Sequence, residues 1–409
     1  MSDDLHLAAK ISTSRAEYGL APNIYTNLTA PVIDAYSRID RKDLNSFYLY
    51  GDYSVSDLEL SMRAYYDEYS DVFALYNEPT YKTTSPLVNY DDNRLGTILK
   101  AKINHKNAIN SFIFQAEKNE HKRLGGGLNR AEFQVNTFKL SYLSEIELTQ
   151  LWTLQGGISY NLDKEAKASQ SSERAKNKKI IDAQMRLEYA DKQESIYVGI
   201  AKKSRMPSMF EMFSFFPWEI ANPDLKPEKS MQYTTGYKYY FNKQTKIDLS
   251  LYYYDISDLI INRSSTYINR ESAKHYGAEL RFYSKSIKNH AVNISYAYAH
   301  ARDSENEALE FIAKHKIKIE DTVYLNQNFK LYLAYQFMSS RSSDNSATYS
   351  DEQMQLSAYH LLEAQLLYKI SKSIDARVGV KNILDQDYEQ RYGYPAEGRC
   401  YYLSLQWQL

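Results

Sequence analysis

Segments of period-two alternation recur through this chain, and the connections between them alternate between a few residues and many. From Thr245 to Asp255, residues Ile247, Leu249, Leu251 and Tyr253 fall on one side and Lys246, Asp248, Ser250 and Tyr252 on the other, which is a strand with one apolar and one polar face. The same holds for Trp152, Leu154, Ile158 and Tyr160 against Thr153, Gln155, Gly157 and Ser159, and for Leu403, Leu405, Trp407 and Leu409 at the end. The pattern predicts about eighteen strands, beginning near residues 4–14, 43–53, 58–69, 92–103, 108–119 and 134–146 and closing near 374–384 and 398–409. Tight turns at Ser54 to Asp57, Asn104 to Asn107, Asp191 to Glu194 and Asn242 to Gln244 alternate with long connections such as 15–42, 70–91, 205–228 and 339–356.

A soluble sandwich has no reason to keep short turns on one rim and long loops on the other. A transmembrane antiparallel β-barrel does, with short turns on the periplasmic side and long loops outside the cell. The expected fold is therefore all-β, a single barrel domain over residues 1–409.

Composition fits that reading. The mean hydropathy of −0.59 reads as soluble for a helical protein, but a barrel averages lipid-facing and lumen-facing residues along every strand. Tyrosine, at 39 residues, outnumbers the 15 Phe and 3 Trp together, as the aromatic girdles at two membrane interfaces require. With 50 Lys and Arg against 51 Asp and Glu, no global field selects nucleic acid. The single Cys400 forms no internal disulfide, and Cys/His spacing for a structural metal is absent. The start, Met1-Ser-Asp-Asp-Leu-His6, has neither the basic nor the apolar region of an export signal.

Three motifs narrow the class. Arg205-Met-Pro207-Ser-Met-Phe-Glu211-Met-Phe213 is followed by Asn222-Pro223-Asp-Leu225-Lys-Pro227-Glu228. Tyr276-Gly277-Ala-Glu279-Leu280 opens a strand, and Val380-Lys-Asn382-Ile-Leu-Asp385 precedes Tyr394-Pro395 and Gly398-Arg399 before the last strand. Together they resemble the TonB-dependent outer-membrane receptors, well over about residues 195–409 and by strand pattern alone before that. Pro223 and Pro227 lack an N–H and suit a loop that stops before a ladder begins, with Glu228 holding that loop to the rim. Gly277 and Gly398 suit bends where strands meet the rim. These residues are expected to be architectural.

The resemblance implies a Gram-negative outer-membrane location, contact with membrane lipid, and uptake of a small metal chelate, most often a ferric siderophore, driven by the TonB-ExbB-ExbD complex. Family barrels have 22 strands around an amino-terminal plug. The expectation for this chain is the carboxy-terminal eighteen, without the plug, the TonB-contacting segment and the first four strands.

No enzyme signature stands out, and neither a cofactor nor a metal is implied: the eight histidines lack HExxH or triad spacing. The run Phe213, Phe215, Phe216, Trp218 beside Arg205 and Glu219 is the candidate ligand grip, since exposed aromatics next to a cation suit a planar or catecholate-like ligand. Met206, Met209 and Met212 suit either a soft metal ion or, more often, apolar packing. The alternative function is a passive channel whose polar lumen carries Lys246, Asp248, Arg377 and Lys381.

Overall fold

The computed structural model describes residues 4–19, 37–76, 80–82, 88–125, 128–168, 176–213, 220–263, 266–345 and 350–407. Eighteen strands join one sheet. They are β1 (Asp4–Gly19), β2 (Ser37–Val55), β3 (Leu58–Leu75), β4 (Val88–His105), β5 (Ala108–Gly125), β6 (Leu128–Glu147), β7 (Trp152–Ala168), β8 (Lys178–Ala190), β9 (Glu194–Arg205), β10 (Glu228–Asn242), β11 (Thr245–Arg263), β12 (Thr266–Ser284), β13 (His290–Asp303), β14 (His315–Tyr324), β15 (Phe329–Met338), β18 (Tyr359–Lys369), β19 (Ile374–Lys381) and β22 (Cys400–Trp407). A hairpin of β16 (Arg341–Asn345) and β17 (Ser350–Leu356), a second of β20 (Glu389–Arg391) and β21 (Tyr394–Pro395), and one five-residue helix α1 (Met209–Phe213) occupy long connections.

Chain contacts divide the protein into two compact units. The first comprises Met1–Leu187, Gly199–Gln232 and Ile256–Ser272; the second comprises Glu188–Val198, Tyr233–Asp255 and Ala273–Leu409. In the first, β1 to β7 pair antiparallel in chain order, with Lys10 opposite Tyr48, Tyr65 opposite Gly96 and Gln115 opposite Lys139. In the second, the ladder runs from β12 to β13, β14, β15, β18, β19 and β22, stepping over the two hairpins.

The turns at one rim are tight because side chains close them. The Asp191 carboxylate accepts from Gln193 N (2.7 Å) and Glu194 N (2.8 Å); these two N–H groups hold its carboxyl below the ordinary range. Asn326 does the same for Asn328 and Phe329, and Asn242 for Gln244. This is the Asx-turn, in which a short polar side chain mimics a backbone turn.

Facing follows the alternation. On β11, Leu249, Leu251 and Tyr253 are exposed at 37%, 44% and 37%, while the residues between them are partly covered. A water-soluble sheet buries its apolar face; here that face is the outer one, as for a protein solvated by lipid. The polar face carries networks instead: Arg94 to Asp67 at 2.7 Å with Tyr48 to Asp67 at 2.8 Å, and Tyr332 and Asn293 both on Glu320 at 2.7 and 2.9 Å.

All eighteen expected strands are present, but several are longer than the alternation indicated. β2 begins at Ser37 rather than near 43, β3 runs to Leu75 rather than 69, β6 starts at Leu128 rather than 134, and β12 at Thr266 rather than 271. Some of the added rungs are polar on both faces, as in Glu120-His-Lys-Arg123 of β5, and others carry apolar residues without a regular alternation, as in Val72-Phe-Ala-Leu75 of β3. Beyond lipid neither face is required to be apolar, so the period-two signal fades while pairing continues. The long connection 339–356 is not all open loop: it holds a hairpin in which Arg341, Ser342 and Ser343 are buried.

Candidate functional site

The connection between β9 and β10 is built around one guanidinium. Arg205 donates through Nε to Glu228 (2.6 Å) and through Nη1 to Glu211 (2.9 Å). Both carboxylates are mostly buried, at 16% and 14% side-chain exposure, so the fork of Arg205 satisfies two groups that cannot be left alone. Glu228 spends its other oxygen on the backbone N–H of Ile260 in β11 (2.7 Å), tying the end of β9, the start of β10 and the end of β11 together.

Glu211 has a second task. Ser208 precedes α1, and its hydroxyl accepts from Glu211 N (3.2 Å) while Glu211 accepts from Ser208 N (2.7 Å) and Ser208 Oγ (3.0 Å). This is a capping box, which satisfies donors that a helix start leaves unpaired. Burial alone raises the Glu211 carboxyl, but Arg205 and the Ser208 N–H outweigh it and hold it below the ordinary range. On Arg205, Glu228 is the chief cause that keeps the proton more firmly bound than usual.

The second half of the motif is pinned by backbone bonds. Asn222 Nδ2 donates to Tyr267 O (2.8 Å), and Asn222 N to Met212 O (2.8 Å). Asn269 mimics a strand edge: its Oδ1 accepts from Lys226 N and its Nδ2 donates to Lys226 O, at 2.8 and 2.9 Å. Lys178 donates to Pro223 O (3.1 Å). Pro207 and Pro223 are buried, and Pro227, lacking an N–H, precedes β10 where no ladder donor is needed.

This scaffold carries a small apolar cluster: Met212, Phe213 and Leu225 of the connection with Ile260 of β11 and Ala131, Phe133 and Val135 of β6. Leu225 is 1% exposed, and the rings of Phe213 and Phe133 stack at 5.3 Å. Ala131, Phe133 and Val135 lie on the same side of β6 as Lys139 and Ser141, the polar side. The connection therefore folds across the polar face of the sheet at its long-loop end.

The placement corrects two expected ligand residues. Phe213 is buried in the cluster, not offered to solvent, because the helix cap turns it toward Phe133; Arg205 is committed to two carboxylates. Phe215, Phe216, Trp218 and Glu219 lie outside the described residues. Met212 and Met209 belong to or pack on the cluster, in keeping with the packing reading of that run.

The other motif residues form a second clasp in the carboxy-terminal unit. Asn382, buried with φ 47°, donates to Gln386 O (2.9 Å) and accepts from Gln386 N (3.0 Å). Asp385 accepts from Arg399 N (2.8 Å), and Arg399 Nε reaches Ile383 O (3.0 Å), so the turn after β19 is locked to the start of β22. A Cβ at Gly398 would stand 3.2 Å from Asp385 Oδ1; that glycine serves a close approach. Gly277 is likewise no rim bend but lies under the ring of Tyr252. Glu279 is exposed.

Sequence reasoning missed Ser208, Asn269, Tyr267 and the β6 partners. Ser208-x-x-Glu211 is a capping signature that local spacing contains. Asn269 and Phe133 carry no local signal, because their partners are 43 and 80 residues away.

The family model for TonB dependent receptor-like β-barrels matches residues 5–383. A vitamin B12 transporter, BtuB of Vibrio cholerae, is 25% identical over 201 residues, which is 49% of this chain and 28% of that protein; the match thus spans under a third of the relative. Among solved structures, the copper transporter OprC superposes with a TM-score of 0.80 at 17% identity, over 91% of this chain and 67% of that one. A mutant form of the ferric enterobactin receptor PfeA of Pseudomonas aeruginosa gives 0.76 at 13% identity, over 99% and 68%. These likenesses establish the fold as a transmembrane antiparallel β-barrel. Since the family model spans nearly the whole chain, the protein belongs to the TonB-dependent receptor β-barrel family.

Proposed function

We propose that the protein is an outer-membrane receptor that takes up a metal chelate, a ferric siderophore being the first candidate, through TonB-energised transport. The observation that carries this reading is the connection between β9 and β10, clasped by Arg205 and packed over the polar face onto Phe133. A passive pore needs no such scaffold at its outer end. A receptor needs loops held in one arrangement, because each ordered side chain then costs less on binding. Similar proteins point the same way in cargo: one is named a copper transporter, one a ferric enterobactin receptor and one a vitamin B12 transporter.

In this reading Arg205 and Phe213 anchor the connection, while Phe215, Phe216, Trp218 and Glu219 contact the chelate. The test is quenching of tryptophan fluorescence in the full chain, refolded in detergent, by a panel of ferric chelates and their iron-free forms. Saturable quenching by at least one ferric chelate, lost on deletion of residues 214–219, supports the reading. No saturable binding, together with steady conductance in planar bilayers, contradicts it in favour of a channel.

A further inference from the structure

We propose that a pocket on the polar face of β4 to β9 binds a small hydroxylated aromatic carboxylate. Its volume is about 320 Å³, within the range of small-molecule sites. Three apolar side chains interrupt the polar wall there. Ile98 lies across from Gln115, Ile113 from Ser141 and Leu143 from Gly157, on the face that carries Arg94 and Lys139. Leu143 lies over Gly157, where a Cβ would collide with it, and Leu143 is itself 38% exposed. Apolar groups gathered and uncovered on a wall that is otherwise polar mark a binding surface, not a packed core.

The charges around this floor set the chemistry of the ligand. Lys139 and Lys203 line the pocket. Lys203 donates to Gln184 Oε1, and neither lysine has a carboxylate within ion-pair distance among the described residues. Lys100, directly opposite Ile113, adds a third cation, while Glu59 beyond it is held by Lys102 at 3.0 Å. Other carboxylates of this face are engaged: Tyr65 and Asn119 donate to Glu117, Thr137 to Asp163 and Gln155 to Glu145. One carboxylate, Asp182, enters the pocket, and its buried Oδ1 accepts no hydrogen bond from the described residues. Cations outnumber it, so an anion with one donor group suits the pocket better than a zwitterion. A carboxylate between Lys139 and Lys203 gains charge-assisted hydrogen bonds, a ring lies on Ile98, Ile113 and Leu143, and a hydroxyl donates to Asp182. Lys139 follows Phe133 by six residues on β6, about 20 Å nearer the short-turn rim. The pocket is thus separate from the clasp, uses none of residues 205–219, and goes beyond the uptake reading without needing it.

The probe is a hydroxynaphthoate, whose fluorescence anisotropy rises on binding, added without metal to the full chain refolded in nonionic detergent. Binding should saturate, and the methyl ester, which lacks the charge, should not compete. Lys139→Gln with Lys203→Gln should weaken binding at least about tenfold, the loss expected for hydrogen bonds to charged groups, whereas Lys139→Arg with Lys203→Arg should keep it. Asp182→Ala should narrow the preference for hydroxynaphthoate over naphthoate. Binding without saturation, equal competition by the ester, an unaffected glutamine double variant, or an unchanged preference in Asp182→Ala overturns the proposal. Deleting residues 214–219 separates the pocket from the receptor reading: the hydroxynaphthoate should still bind while ferric-chelate quenching is lost. Loss of hydroxynaphthoate binding in that deletion refutes the pocket as its site. Hydroxynaphthoate binding by a chain that binds no ferric chelate supports the pocket and refutes the receptor reading alone.

Discussion

The ring of Tyr252 lies over Gly277 on the neighbouring strand, where a Cβ would collide with that ring and with the backbone carbonyl of Tyr298. The same relationship recurs between Tyr65 and Gly96, Tyr197 and Gly236, and Tyr402 and Gly379. Each glycine leaves a slot on the polar face that a cross-strand tyrosine fills, which covers exposed backbone and allows the sheet to curve.

These pairs respond differently to substitution. Gly96→Ala should cost about 1–3 kcal/mol by overpacking, and most of that should vanish when Tyr65→Ala is added, since only the tyrosine side chain is in the way. Gly277→Ala should cost at least as much and should not be rescued by Tyr252→Ala, because the Tyr298 carbonyl remains. Equilibrium urea unfolding from lipid vesicles measures both cycles.

Removing the centre of the first clasp should release the whole connection. Arg205→Ala leaves Glu211 and Glu228 without their shared partner, a loss of about 2–5 kcal/mol for partly buried, hydrogen-bonded charges. Hydrogen exchange should show lost protection at Met212, Leu225 and Ile260, whose amide hydrogen bonds depend on this scaffold. Glu228→Gln should expose mainly the Ile260 amide. The short turns, including Asp191 to Glu194, should be unchanged in both variants.

The clasp should also open in acid. The Glu211 carboxyl is held below its ordinary range in the folded chain, so its contribution is complete above the unfolded value of about 4.3 and is lost as pH falls through the folded value. Cleavage by an acid-active protease within residues 206–213 should be slow near about pH 5 and accelerate below about pH 4. Glu211→Gln should make cleavage fast at both.

Lipid-face and polar-face substitutions should part sharply. Leu251→Arg should cost about 2–4 kcal/mol near the bilayer midplane, whereas Lys246→Arg, on the polar face, should be nearly silent in the same vesicle unfolding assay.

The sheet was legible where lipid enforces alternation, as in β11 and β19, because one face must be apolar there. It was illegible where the strands continue past lipid, as at Ser37–Lys42 and Glu120–Arg123, because pairing alone sustains them. At the clasp, Arg205, Glu211 and Glu228 could be picked out as a motif, and the short Ser208-to-Glu211 spacing contains the capping box. The side on which Phe213 lies could not be read, since its partner Phe133 belongs to a strand far earlier in the chain. The slot that Gly277 provides for Tyr252 was hidden for the same reason: cross-strand pairs are not written in local sequence.

The central claim, that the apolar face of these strands meets lipid, is tested most directly by depth-resolved quenching. Single cysteines at Leu251 and at Ser250, each in a Cys400→Ser background and carrying the same fluorophore, are placed in vesicles containing brominated acyl chains. The label at position 251 should be quenched by lipid bromine and shielded from aqueous iodide, and the label at 250 should show the reverse. Equal quenching at the two positions, or iodide access at 251, would contradict the account.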